Sequence, residues 1–114
     1  MTLNILEDKT LQWSHDRGIT VNGKAVTQAL KLMSEIGELA DNLIKGEDVK
    51  DDIGDALVVL TNLAKLEGTN LTECWTIAYN DIKDRKGFLN EQGNFIKSTD
   101  KAYKQALLDF EARK

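Results

Sequence analysis

The chain reads as an all-α protein, a bundle of four to five helices in a single domain over residues 1–114. Two observations lead there. Proline is absent from all 114 residues, and the 8 glycines fall mostly where apolar periodicity stops, the punctuation of helices that end at glycine. Between those stops apolar positions recur three and four apart, the period of a helix with one stripe to bury.

The first helix is expected from about Leu3 to His15, with Leu3, Leu6, Thr10 and Trp13 on one side and Gly18 behind it. Ile19 to Gly23 is expected as a turn. The second helix begins at Lys24 and carries Val26, Ala29/Leu30, Met33, Ile36/Gly37, Ala40 and Leu43/Ile44 as its stripe, stopping at Gly46. A third starts near Glu47 and Asp48, where acids suit the positive end of the helix dipole, and runs through Ile53, Ala56, Leu57, Leu60 and Leu63 to Gly68. Val58, Val59 and Leu60 widen its apolar face and point to a subunit contact. Asn70 with Glu73 three residues on forms a capping-box-like start for the fourth helix, which is expected to reach Lys86. Phe88 to Lys97 is a hairpin or loop around Gly93, and Ser98 or Thr99 caps a last helix bearing Tyr103, Ala106, Leu107 and Phe110. Segments with one apolar stripe each bury it only by packing together, hence a bundle.

With 15 basic and 19 acidic residues the net charge is −4, and 41% of the chain is hydrophobic, a soluble globular balance. An acidic total without a basic block gives no electrostatic footprint for nucleic acid. The longest apolar run, Ala56 to Leu60, is far short of a membrane span. Glu7 and Asp8 interrupt the region where a signal peptide needs apolar residues, and Ala112-Arg113-Lys114 is no lipidation box, so a cytoplasmic protein with no membrane partner is expected. The lone Cys74 cannot form an internal disulfide or a thiolate zinc cage. Any metal must therefore be taken by oxygen.

The informative feature is a near-repeat: Glu35-Ile36-Gly37-Glu38 in the second helix and Asp52-Ile53-Gly54-Asp55 in the third. Acids three apart lie about 60° from each other on one helix face, so each pair projects two carboxylates together. Like charges at that spacing cost tenths of a kcal/mol, and each interior glycine costs about 1 kcal/mol relative to alanine. Residues 35 to 55 hold eight acids against Lys45 and Lys50, a balance of −6. If the two helices form an antiparallel hairpin turning at Gly46, the pairs face each other, with Gly37 and Gly54 letting the backbones approach. Four converging carboxylates repel unless a divalent cation sits among them, and such hard ligands select Mg²⁺ or Mn²⁺ over zinc. The alternative is a pair of solvated helix faces, as most charge runs are; the duplicated glycine, and Leu32 and Leu39 on the same side as Glu35, point instead to a site at the edge of the core.

These residues resemble the MazG-like all-α nucleoside triphosphate pyrophosphohydrolases, marked by Glu-x-x-Glu followed by Glu-x-x-Asp. Ala29 to Ala40 is similar to the family's first motif helix, Asp52 to Leu60 to its second, and Ala78 to Gly87 to the stretch that short phage-type members carry afterwards. The resemblance implies hydrolysis of a (deoxy)nucleoside triphosphate to monophosphate and pyrophosphate, with Glu35, Glu38, Asp52 and Asp55 holding Mg²⁺ or Mn²⁺ and Glu35 or Glu38 taking a proton from water. Asp52 stands where the family usually has glutamate; the shorter arm implies ligation through water, or a contribution from Asp51. Lys83, Arg85 and Lys86, expected at the end of the fourth helix, together with Asn80 and Lys31, are the candidate substrate contacts. For Lys31 a plain salt bridge to Glu35 one turn on is the simpler reading. A homo-oligomer, dimer or tetramer, joined through the motif helices, is expected to complete the pocket. The rival is a non-catalytic helical interaction module or a degenerate family member whose acids bind a structural cation or face water.

Three further signals are set aside. Gly18 to Ala25 imitates a phosphate-binding loop, but Ala25 replaces the hydroxyl residue that meets magnesium. His15-Asp16 lacks a second histidine. Cys74 is read as a core thiol, and Trp13, Trp75 and Tyr79, which could stack on a nucleobase, as core aromatics.

Overall fold

A computed structural model describes residues 1–114. The chain divides into two compact units, Met1–Thr76 and Ile77–Lys114. It is mostly helical, in the order α1 (Leu3–Asp16), α2 (Ile19–Asn22), α3 (Ala25–Ile44), α4 (Lys50–Leu66), α5 (Leu71–Ile82), β1 (Gly87–Leu89), β2 (Phe95–Lys97) and α6 (Tyr103–Ala112). α5 starts in the first unit and ends in the second. No helix is long and apolar enough to cross a membrane.

In the first unit α3 and α4 form the most extensive pairing, and α1 and α2 also pack on α4. The hairpin turns where expected. Gly46 adopts φ +76°, a left-handed conformation open to glycine, and the Asp48 carboxylate accepts from the Lys50 backbone N–H at 2.9 Å as α4 starts. The span expected as a turn at Ile19 contains the short helix α2 instead, so Ile19–Asn22 of the region imitating a phosphate loop is helical. α4 is the central element: Ala56, Val59 and Ala64 are the buried apolar residues, and Asp52, Thr61 and Asn62 are buried on the same helix.

The largest departure from the sequence reading is which side of α3 is covered. Ala25, Gln28, Leu32, Glu35, Leu39 and Asn42 are its half-buried positions. The expected apolar stripe lies bare, with Val26 72%, Leu30 63% and Met33 71% exposed. On the covered face α4 offers a polar partner, since Asp52 accepts a hydrogen bond from Asn42. Likewise Gly37 and Gly54 do not mediate close approach: a Cβ at either would meet nothing within 4 Å. On α1 it is Ser14, not the stripe through Trp13, that is fully buried.

α5 opens as expected, with the Asn70 side chain accepting from the Glu73 N–H at 2.8 Å and the Thr69 hydroxyl donating to Glu73 at 2.9 Å. It stops at Ile82, four residues short of the expected end, so Lys83, Arg85 and Lys86 lie beyond the helix. Cys74 is exposed, and Trp75 and Tyr79 are 62% and 53% exposed; none is a core residue.

In the second unit β1 and β2 pair antiparallel, Phe88 opposite Ile96. A Cβ on Gly87 would fall 2.2 Å from the Ile96 carbonyl oxygen, so glycine is required for that strand approach. Phe88 stacks on Phe110 at 4.8 Å and meets Tyr103 at 5.6 Å, fastening α6 to the hairpin. α6 begins at Tyr103 with Ala102 as its cap residue, not Ser98 or Thr99; the Asp100 carboxylate instead accepts from the Lys97 N–H at 2.8 Å.

Candidate functional site

The site is built on the facing surfaces of α3 and α4. From α3, Lys31 and Glu35 stand one turn apart, Nζ to Oε1 at 3.3 Å, the salt bridge that their spacing predicts. Lys31 is open to solvent while the Glu35 side chain is only 12% exposed, because Glu35 lies on the covered side. Its second oxygen, Oε2, is buried with no hydrogen-bond partner. A charged oxygen taken from water without a donor is costly.

From α4, Asp51 and Asp52 occupy the first turn, where the helix dipole favours acids. Of the two, Asp52 is buried and Asp51 exposed. Asn42 Nδ2 donates to Asp52 Oδ2 at 3.0 Å across the hairpin, fixing the register of α3 against α4. Asp55 is half-buried one turn later. Burial pushes its carboxyl above the usual range, and the Asp51, Glu35 and Asp52 carboxylates push it further, against an opposing pull from Lys31. Glu35 and Asp55, from different helices, therefore share one electrostatic environment.

Glu38 is exposed and is absent from the groups acting on Asp55. No three acids, histidines or cysteines stand close enough together to hold a metal ion. Of the four carboxylates expected to converge, the structure thus brings Glu35, Asp52 and Asp55 to one side of the hairpin, short of a closed cage, and leaves Glu38 outside. The donor chemistry still fits a hard divalent cation: it is all oxygen, one carboxylate oxygen is orphaned, and one carboxyl is destabilised as an anion by its neighbours. A shared ion requires the side chains to turn inward.

Two residues escaped the sequence reading. Asn42 bridges to Asp52, and Asn62, 3% exposed on α4, has a buried Oδ1 without a partner. Asn62 follows Asp55 by seven residues, two helical turns, and that spacing was the available signal. An open groove lies between α1 and α4, lined by Leu6, Lys9, Thr10, Trp13 and Val58. Val58 is three residues after Asp55. Trp13 is 47% exposed, with the Arg17 guanidinium 4.3 Å above its ring.

The remaining candidates belong to the second unit. Asn80 and Lys83 are exposed, as is Lys86, whose backbone carbonyl accepts from the Ser98 N–H at 3.0 Å. Arg85 pairs with Asp81 at 3.1 Å.

No family model matches the chain, and no solved structure matches it. Among curated proteins it is similar to an uncharacterized 18.2 kDa protein encoded in the rep-hol intergenic region of Haemophilus phage HP1, with 41% identity over 56 residues. That match covers 47% of this chain and spans about a third, 34%, of the phage protein's length.

Proposed function

We propose that the chain is a Mg²⁺-dependent nucleoside triphosphate pyrophosphohydrolase, acting as a homo-oligomer, dimer or tetramer. The observation that carries the reading is Glu35: a nearly buried carboxylate with one oxygen on Lys31 and the other unpartnered, set against Asp55 on the neighbouring helix. A sequence optimised for stability alone would replace that orphaned oxygen with an apolar group. A hard divalent cation, Mg²⁺ or Mn²⁺, would be held by Glu35, Asp52 and Asp55, with Glu38 turning in from the edge. When bound it would polarise the phosphoryl oxygens and lower the pKa of water beside it.

The chain's own groups supply the rest. Lys31 offers a cation at the rim for an anionic phosphate, and releasing it from Glu35 frees a second carboxylate oxygen. In this reading Glu35 accepts a proton from water at Oε2, the oxygen that has no other partner, once the site opens to substrate. Water then adds at the α-phosphorus, the bond to the α–β bridging oxygen breaks, and pyrophosphate departs. Glu38 is the alternative proton acceptor. The Trp13 groove, reached three residues beyond Asp55 at Val58, is the nearby apolar surface on which a nucleobase would lie.

The test is release of pyrophosphate from a panel of nucleoside triphosphates with Mg²⁺. Glu35→Gln, which keeps size and removes the charge, is expected to lower turnover by about 10²–10⁴-fold, the usual contribution of a positioned acid or base. Unchanged turnover in that variant would overturn the assignment. A second reading, a non-catalytic helical module with a structural cation, draws on the exposure of Glu38 and the lack of a closed three-ligand group. It predicts Mg²⁺ binding without turnover of any triphosphate.

A further inference from the structure

α1 carries a set of side chains that the packing of the first unit does not use. Lys9, Trp13 and Arg17 follow one another at intervals of four, so they stand on one flank of the helix, each about 6 Å along the axis from the next. All three are exposed, whereas the covered side of α1 runs through Glu7, Leu11 and Ser14. Trp13 is nevertheless held. The Arg17 guanidinium lies 4.3 Å from its ring centroid, and Arg17 also donates to the Trp13 carbonyl at 3.0 Å; a guanidinium stacked in this way occupies one face of an indole and fixes its orientation. Trp13 also lines the groove that Leu6, Lys9, Thr10 and Val58 complete.

Neither cation of this flank is neutralised by the protein. No acid forms an ion pair with Lys9 or Arg17, and Asp16, the acid beside Arg17, is engaged by Gln12 at 2.7 Å and by His15 at 3.6 Å. Lys9 is also missing from the charges that act on Asp55, so that carboxylate does not claim it. The groove is mostly apolar and holds about 270 Å³, less than the roughly 300–1,000 Å³ of sites that enclose a whole small ligand. It has room for a flat ring and leaves a charged group of the same ligand outside, beside Lys9.

We propose that the Lys9–Trp13–Arg17 flank of α1 is a site for a nucleoside 5′-monophosphate, bound without metal, with the base in the groove against Trp13 and the phosphate paired with Lys9. Arg17 is a positioning residue that keeps the indole in place. The proposal deepens the pyrophosphohydrolase reading and rests on it for the role of the site, because the monophosphate is the product that remains when pyrophosphate departs. A product held by α1, with no share of the α3 and α4 carboxylates, stays after cation and pyrophosphate have left and competes with the next triphosphate.

The chain has two tryptophans, Trp13 and Trp75, and Trp75 is 62% exposed, so Trp75→Phe leaves Trp13 as the single emitter in the full-length protein. Its fluorescence is titrated in EDTA with the 5′-monophosphates of adenosine, guanosine, cytidine and thymidine, with the matching nucleosides, and with inorganic phosphate. At least one monophosphate should quench it saturably and bind about fivefold tighter than its nucleoside, the upper end of what an exposed ion pair contributes; inorganic phosphate, which has no ring, should not quench. Lys9→Gln should bring that monophosphate down to the affinity of its nucleoside with far-UV circular dichroism unchanged, and Arg17→Gln should weaken both ligands alike. Quenching that requires Mg²⁺, equal affinity for monophosphate and nucleoside, an unaltered Lys9→Gln titration, or no quenching by any monophosphate at millimolar concentration each overturns the site. Release of pyrophosphate from triphosphates by a protein that fails these titrations keeps the catalytic reading and removes this one. Metal-free binding of a monophosphate by a protein without turnover supports this site and removes the catalytic reading.

Discussion

Asp55, at the candidate site, sits in surroundings that disfavour its charged form. Its carboxyl is pushed above the ordinary aspartate range, first by burial and then by Asp51, Glu35 and Asp52. Between about 3.9, the unfolded value, and the raised native value the folded chain binds more protons than the unfolded one, so stability falls as pH rises. The stabilisation is complete below the unfolded pKa and is lost as pH rises through the native one. In the absence of divalent metal, urea unfolding from about pH 4 upward should show this decline, and Asp55→Asn should abolish its share of the slope and unfold at higher urea. A variant with the same slope as wild type would mean that Asp55 does not carry the strain. The neighbouring Asn42–Asp52 bond has the opposite character, since it satisfies a buried acid. Asn42→Ala should cost about 1.5–3 kcal/mol, the range for a hydrogen bond to a charged group, read from the shift in denaturation midpoint. Asp52 and Asp55 were legible as a pair from their spacing alone. Asn42 was not, because an asparagine on a helix flank acquires meaning only when the register of two helices is known.

Helices were legible from punctuation and their facing surfaces only in part: Leu32 and Leu39 were read on the side of Glu35 and are half-buried with it, whereas the stripe through Val26, Leu30 and Met33 is exposed. Gly18, Gly46 and Gly68 each close a helix with positive φ, a local conformational demand that a sequence displays directly. Which stripe of α3 packs on α4 is a tertiary choice. The covered face includes Glu35 and Asn42, and Asn42 is hydrogen-bonded to the buried Asp52 across the hairpin. The same distinction gives the glycines opposite fates on mutation. Gly54 sits inside α4 with nothing within 4 Å of the place a Cβ would take, so Gly54→Ala should stabilise the first unit by about 0.5–1 kcal/mol through helix propensity. Gly46→Ala must place a Cβ at φ +76° and should destabilise by about 1–2 kcal/mol. Differential scanning calorimetry of the two variants should move Tm in opposite directions; a fall in Tm for Gly54→Ala would show that the glycine serves an approach absent from the isolated chain.

Charge is distributed unevenly across the chain as a whole. The net −4 combines −6 within residues 35 to 55 with +2 elsewhere, so one hairpin carries the electrostatic burden of the protein. Its cohesion is limited, since the buried apolar residues are three small or medium side chains, Ala56, Val59 and Ala64. Self-repulsion in such a segment is relieved either by general screening or by an ion seated among the carboxylates, and the two differ in concentration dependence. Screening depends on ionic strength alone and needs about 0.1 M salt to shorten the Debye length to ~10 Å. Site binding stabilises through occupancy, growing with the ratio of ligand concentration to Kd. Thermal unfolding at neutral pH in about 1 mM MgCl₂ and in NaCl of matched ionic strength separates them. The acidic hairpin is expected to give a higher Tm in MgCl₂, with the difference reduced in Glu35→Gln and shrinking toward acid pH as protons claim the same carboxylates. Equal Tm values in the two salts would reduce the acidic pairs to a solvated charge run and withdraw the physical basis for a cation there.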